Sequence, residues 1–374
     1  MSKLSMENDL DLIKISKILL WMPNWIGDVV LALPAVQALF DRYPEAKISI
    51  AVRAPSQRLL EGHAAIDTIY EIPSGDNIRF WDQTQFSRSL SKNNFDLGVA
   101  FPNSFKSAFL LRLTGAKYRL GYNTEIRDVF LTHSVEKDKV AIELHRVDYF
   151  LNILSPLKLK KMKTRFMPTV KIDSRIKAKE VLADLSVRSG EFLVAIHPGG
   201  SKLPRRWHEE RFGVLCQKLL KEYDAKVILL GDKSESDTLK SIVGSCPADK
   251  VLCLTSLSLP ETAAVISKCN VFIGNDSGMM HLAAMMNTPL VGIFGPGSPQ
   301  TTGPFMDSDN YEIVTKNFPC SPCKQNFFKE CKPSVHSKPY CIEDISVKDV
   351  MEAVERLVRI RGQSLFNAEI IRES

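Results

Sequence analysis

Short apolar, β-branched runs alternate with segments of helical period along nearly the whole chain, and this alternation limits the fold more than any other feature. A strand, a crossover helix and a second strand form the unit from which covered parallel sheets are built. In the first half, residues 17–22, 47–52 and 96–101 predict strands, and 28–42 and 104–113 predict helices. In the second half, 192–197, 226–231, 251–254, 271–274 and 290–294 predict strands, and 209–222, 234–243, 259–269 and 278–286 predict helices. A chain of 374 residues exceeds what one hydrophobic core usually serves. The expected fold class is therefore α/β, with two Rossmann-like domains facing across a cleft where ligands of such folds bind. The expected divisions are 1–170, 171–345, and a helix with tail over 346–374. Val347, Val350, Met351, Val354, Leu357 and Val358 give that helix one apolar stripe, which is expected to pack on a domain face and to cross back to the first domain.

Composition excludes several classes. Apolar runs are strand-length, well short of the ~20 residues that span a bilayer. The first twelve residues carry Glu7, Asp9 and Asp11 and lack the pattern of a secretory signal, which leads to the expectation of a cytosolic enzyme. The net charge of +6 is compatible with an anionic substrate or membrane surface. No nucleic-acid partner is expected, and the chain is expected to act as a monomer. Between the halves, Lys158, Lys160, Lys161, Lys163 and Arg165 form either a solvated linker or a face toward anionic lipid.

Three segments carry the chemistry. In Pro23-Asn24-Trp25-Ile26-Gly27-Asp28, a strand ends and a helix begins. Gly27 permits close backbone approach, and Asp28 stands on the ligand-facing edge, either as a helix cap or as a general base. The bulky Trp25 is more than a cap requires. The second segment runs from His197 to Trp207 and holds Gly199, Gly200, Ser201, Lys202, Arg205 and Arg206. Free backbone amides and three cations suit a diphosphate, and the segment matches neither the dinucleotide fingerprint nor the P-loop. The third, Asn275-Asp276-Ser277-Gly278 with His281, is a polar turn opening a helix. Its amides suit a phosphate and its Asp suits sugar hydroxyls. Gly295 and Pro296 end the next strand on the same edge.

Together these segments resemble the ADP-heptose:lipopolysaccharide heptosyltransferases of glycosyltransferase family 9, over about residues 15–361, and the first looks like the heptosyltransferase II version of its motif. The resemblance implies a GT-B fold and an inverting transfer of L-glycero-D-manno-heptose from ADP-heptose, with Asp28 as general base. It implies no required cofactor and no divalent metal. The acceptor would be lipid A–Kdo-type lipopolysaccharide at the cytoplasmic face of the inner membrane, with peripheral membrane contact. Gly27, Ser201, Lys202, Arg205, Arg206, Trp207, Asn275, Asp276, Ser277, Gly278, His281, Gly295 and Pro296 would serve the donor. Arg205 stands where members carry a lysine for the donor phosphates, keeping the charge in a different geometry. Trp25, Lys106, Lys117, Arg119 and Arg127 would serve the acceptor.

The alternatives are a nucleotide-sugar epimerase on a similar scaffold, for which no convincing acid/base pair is visible, and a metal-binding module. The latter would use Cys320-x₂-Cys323-x₇-Cys331-x₉-Cys341, a proline-rich loop that a metal or disulfides would staple.

Overall fold

The computed structural model describes residues 14–373 except 125, 160–165, 167, 189, 245, 321–322, 324, 326–327 and 330, and the side chains only through residue 360. Four of the five linker cations, Lys160, Lys161, Lys163 and Arg165, lie outside the described residues. The chain divides into two compact units, Met1–Thr169 and Val170–Ser374.

The first unit is built on β1 (Lys17–Trp21), β2 (Lys47–Val52), β3 (Thr68–Glu71), β4 (Leu97–Ala100), β5 (Tyr118–Asn123) and β6 (His133–Glu136), in the order β3-β2-β1-β4-β5-β6. The second is built on β7 (Leu193–His197), β8 (Lys226–Leu230), β9 (Val251–Leu254), β10 (Val271–Asn275), β11 (Leu290–Phe294) and β12 (Tyr311–Thr315), in the order β12-β11-β10-β7-β8-β9. Every pair in both sheets is parallel. Continuous apolar runs at the sheet centres, such as Ile18–Trp21 and Leu193–Ile196, are buried because helices cover both faces. In each sheet the strand order reverses beside the first strand, between β1 and β4 and between β7 and β10. Helix connections leave to opposite faces there, which opens a crevice at the carboxyl ends of the strands.

The sequence reading misses β3, β5, β6 and β12. β3, β6 and β12 are short edge strands with partly exposed side chains, so their sequences lack the apolar density that marks a central strand. The expected packing of the 346–361 stripe on a domain face is met by the second unit. The helix Val347–Glu373 sinks Val350, Met351, Ala353, Val354 and Leu357 into the second unit's core with Val314, Ile342 and Ile345. Its apolar stripe is used by the outer part of that unit's own sheet. Leu357 is fully buried, so Leu357→Ala should destabilise the second unit by about 3 kcal/mol. Trp207, that unit's single tryptophan, reports the transition in a urea titration; an unmoved midpoint would contradict the packing.

Candidate active site

In the second unit, the edge formed by the carboxyl ends of β7, β10 and β11 gathers most of the residues expected to serve the donor. Asn275 ends β10 and is fully buried. Its Oδ1 accepts from Trp207 N at 3.0 Å, and its Nδ2 donates to Pro198 O at 2.6 Å and Gly199 O at 3.0 Å. One amide thus fixes both ends of the loop that follows β7. Trp207 lies at 0% exposure, donates Nε1–H to Ile345 O at 2.8 Å and packs edge-on against Phe212. The expected donor contacts of Trp207 and Asn275 are therefore corrected: both are out of a ligand's reach, and their work is to hold the loop.

Between those anchors the loop projects its cations. Arg205 NH1 lies 3.1 Å from Asp276 Oδ2, and Arg205 NH2 donates to Gln325 Oε1 at 2.6 Å. Lys202 Nζ reaches the same Gln325 oxygen at 3.2 Å. Arg206 donates Nε–H to Gly200 O at 2.7 Å and faces Glu235 at 3.7 Å. Ser201 is exposed beside them. Ser277 is the N-cap of the helix Gly278–Met285 but makes no side-chain cap bond. Its buried Oγ has no hydrogen-bond partner among the described residues. A β-carbon on Gly200, whose φ is +158°, would lie 3.9 Å from Ser277 Cβ, so the loop runs close over this helix terminus. Free amides of a helix's first turn and nearby guanidiniums form an anion site.

Asp276 is buried, and the turn after β11 closes on it: a β-carbon on Gly297 would come within 2.1 Å of its Oδ2. Gly295 and Pro296 are buried in that turn. A β-carbon on Gly295 would meet Ile342 at 2.8 Å, so this glycine permits packing. His281 is buried one turn into the helix.

Two residues on this edge escape the sequence reading. Glu235 sits 3.9 Å from His197 Nε2 and close enough to Gly199 that a β-carbon there would fall 2.1 Å from its Oε1. Burial, and then the Arg206 charge, hold His197 down to about 4, so it is neutral at pH 7. The signal for Glu235 is the capping box with Asp232 just after β8. Gln325 lies far along the chain from its partners and carries no local signal.

In the first unit, the helix Ile26–Arg42 starts two residues before the expected position, with Trp25 as its N-cap. Asp28 is therefore in the first helical turn and not a cap. It is half-buried, and the helix packs on Arg146–Asn152, where burial first, and the Asp28 charge among lesser causes, raise the Tyr149 hydroxyl. Gly27 is buried beneath it and Trp25 is 66% exposed. At the ends of β1, β2 and β4 a pocket is lined by Asn24, Arg53, Gln83, Ser104 and Lys106. Partial burial, then the Arg53 charge, hold the Lys106 amine below its ordinary value. Arg53 Nε is buried without a hydrogen-bond partner among the described residues. Two cations beside the N-terminus of Phe105–Leu113 suit an anionic group. Arg53 was legible as the residue that directly follows β2.

The structure does not bring the other expected acceptor residues to this pocket. Lys117 lies at the amino-terminal edge of the sheet, where it pairs with Asp96 at 2.9 Å. Arg119 donates to Phe130 O, Ala116 O and Lys117 O. Arg127 is fully buried and donates to Pro102 O at 2.6 Å, bracing the loop after β4. All three are corrected to structural roles.

The model of "Glycosyltransferase family 9 (heptosyltransferase)" matches residues 83–332, more than half the chain. The chain belongs to glycosyltransferase family 9. It is 26% identical over 297 residues to lipopolysaccharide heptosyltransferase 2 of Salmonella typhimurium, covering 77% of this chain and 85% of that protein. It is 25% identical over 348 residues to lipooligosaccharide heptosyltransferase 2 of Campylobacter jejuni, covering 92% and 98%. The solved structure of E. coli ADP-heptose LPS heptosyltransferase II superposes with a TM-score of 0.76 at 22% identity, covering 93% of this chain and 99% of that one. The two parallel six-stranded sheets are thus the Rossmann-like halves of a GT-B glycosyltransferase. In this family member, Asn275→Ala would leave three buried backbone groups unpaired. The expected loss is about 2–4 kcal/mol in chemical denaturation, and wild-type stability in that variant would rule out the staple.

Proposed function

We propose that this chain transfers heptose from ADP-L-glycero-D-manno-heptose to the inner core of lipopolysaccharide with inversion, as a heptosyltransferase II-like enzyme. The observation that carries the donor half is the convergence of Lys202, Arg205, Arg206, Ser277 Oγ and a helix N-terminus on the edge between β7 and β10. As the anomeric C–O bond breaks, both bonding electrons pass to the diphosphate oxygen and ADP leaves. Cations and amides fixed beforehand stabilise that growing charge more than the ground state. Arg205 and Arg206 are held by Asp276 and Glu235, so their positions are set before the donor arrives. No catalytic divalent ion is needed in this scheme.

Asp28 is assigned as the general base. Its carboxylate takes the proton of the acceptor hydroxyl while that oxygen forms the new bond to the anomeric carbon. Arg53 and Lys106 would hold an acidic group of the acceptor, a Kdo carboxylate or a core phosphate. Transfer from ADP-heptose to a defined lipid A–Kdo–heptose acceptor, with product linkage analysed, tests the reading. Asp28→Asn should lower turnover at least ~100-fold with little change in the KM for the donor. Wild-type turnover in that variant would remove Asp28 from the chemistry.

The same unit has a surface suited to the membrane that carries such an acceptor. Ile78, Phe80, Trp81 and Phe105 are 38–58% exposed, Lys106 lies over the Phe80 ring at 5.3 Å and Arg88 over Trp81 at 5.6 Å. Aromatic rings interleaved with cations match an anionic bilayer surface. Flotation with phosphatidylglycerol vesicles should recover the wild type. A Phe80→Ser, Trp81→Ser double variant should bind at least ~10-fold less; equal recovery would exclude this face.

A further inference from the structure

We propose that His208, His336 and Glu343 bind one divalent transition-metal ion, with zinc the best fit, and that this ion staples the hairpin over residues 333–339 to the start of the helix Glu209–Tyr223. The three side chains come from three segments. His208 is the N-cap residue of that helix. His336 stands in the hairpin, which the bridge between Pro333 and Pro339 closes and in which Ser334 N donates to Lys338 O at 2.8 Å. Glu343 ends the short helix Tyr340–Glu343.

The fold brings one ligand atom from each to within 4.8 Å of the others. His208 Nε2 lies 2.9 Å from Glu343 Oε2, and His336 Nδ1 lies 3.1 Å from Glu343 Oε1. The two imidazole rings stand at 80° with centroids 5.2 Å apart. Two imidazoles and one carboxylate are a ligand set that suits zinc and leaves a position for water. A ring nitrogen facing the carboxylate through an N–H becomes, without its hydrogen, a lone pair aimed at the same space. Around a tetrahedral zinc, neighbouring ligand atoms stand roughly 3.3 Å apart, close to the two separations above.

The carboxylate also has the outer partners that ligating carboxylates usually have. Arg211 NH2 donates to Oε1 at 3.0 Å and Ser334 Oγ donates to Oε2 at 2.8 Å. A carboxylate offers about four acceptor positions. Arg211 and Ser334 take two, and the imidazoles face the two that an ion would take over. Both outer partners are fixed by other bonds. Arg211 NH1 donates to Glu343 O and Ile345 O, and Ser334 Oγ accepts from His336 N at 3.2 Å and Lys338 N at 3.3 Å. Glu209 and Glu210, which follow His208 in the first helical turn, offset the guanidinium charge. The His208 and Glu343 side chains are largely buried while that of His336 is 60% exposed, so an ion has an entry path on one side. The stapled hairpin adjoins the cationic loop, where Lys338 Nζ donates to Arg206 O at 2.8 Å. No step of the transfer passes through the ion.

The test titrates zinc alone into full-length protein that carries isotope-labelled histidine and has been stripped by dialysis against a chelator. The ring-nitrogen resonances of His208 and His336 should move together to metal-bound positions and saturate at about one equivalent, with His336→Ala giving the assignment. Zinc that leaves these resonances unmoved, as it would if thiolates alone took it up, overturns the proposal. In calorimetry, His336→Ala should bind this equivalent at least ~100-fold more weakly, because a lost ligand costs more than a lost outer partner. Equal zinc binding by the two proteins would also overturn the site. His336 is exposed, and its removal spares the bonds of Glu343 to His208, Arg211 and Ser334, so the variant should fold. The wild-type spectrum decides the matter in either case.

Discussion

The buried side-chain amide of Asn275 supports much of what the second unit can do. It ends the central strand β10 and spends one acceptor and two donor bonds on the loop that leaves β7. The loop has no regular structure of its own beyond one short turn at Leu203–Arg205, so its backbone depends on such a partner. Held at Pro198, Gly199 and Trp207, it must carry Lys202, Arg205 and Arg206 over the first turn of Gly278–Met285. The Trp207 ring, seated in the core and bonded to Ile345 O, ties the same loop to the segment that leads into the helix Val347–Glu373. A reorganised loop would have to break buried hydrogen bonds and leave their partners unsatisfied, which is why the cations are preorganised.

Electrostatics in this edge are balanced. Arg205 meets Asp276, and Arg206 faces Glu235. A diphosphate therefore exchanges some existing attraction for its own, and the net gain comes from amides and from cation faces not used by these carboxylates. His197 stays neutral in this setting and adds no charge. The first unit differs: Arg53 and Lys106 line a pocket with no carboxylate among its lining residues, so an anion there meets a less compensated field.

Much of the fold was legible because central parallel strands are apolar on both faces and their helices amphipathic, signals that survive in a single sequence. Edge strands such as His133–Glu136 alternate partly exposed residues and were invisible for that reason. In the site, Asp276, Ser277 and Arg205 were legible because strand-end turns are local in sequence. Trp207 and Asn275 were found but given the wrong task, since burial depends on the tertiary core. Lys117 and Arg119 were misassigned because charge alone does not say which end of a strand a residue occupies. Gln325 was missed because its partners lie more than a hundred residues away.

The most direct test of the donor edge is calorimetric titration of ADP into the full-length protein in excess EDTA. Wild-type protein should bind, and Arg205→Ala should weaken binding at least ~10-fold, the loss expected for removing a charge-assisted contact to phosphate. Binding by the wild type only after magnesium is added, or equal affinity in the two proteins, would contradict a diphosphate held by the cations of this loop.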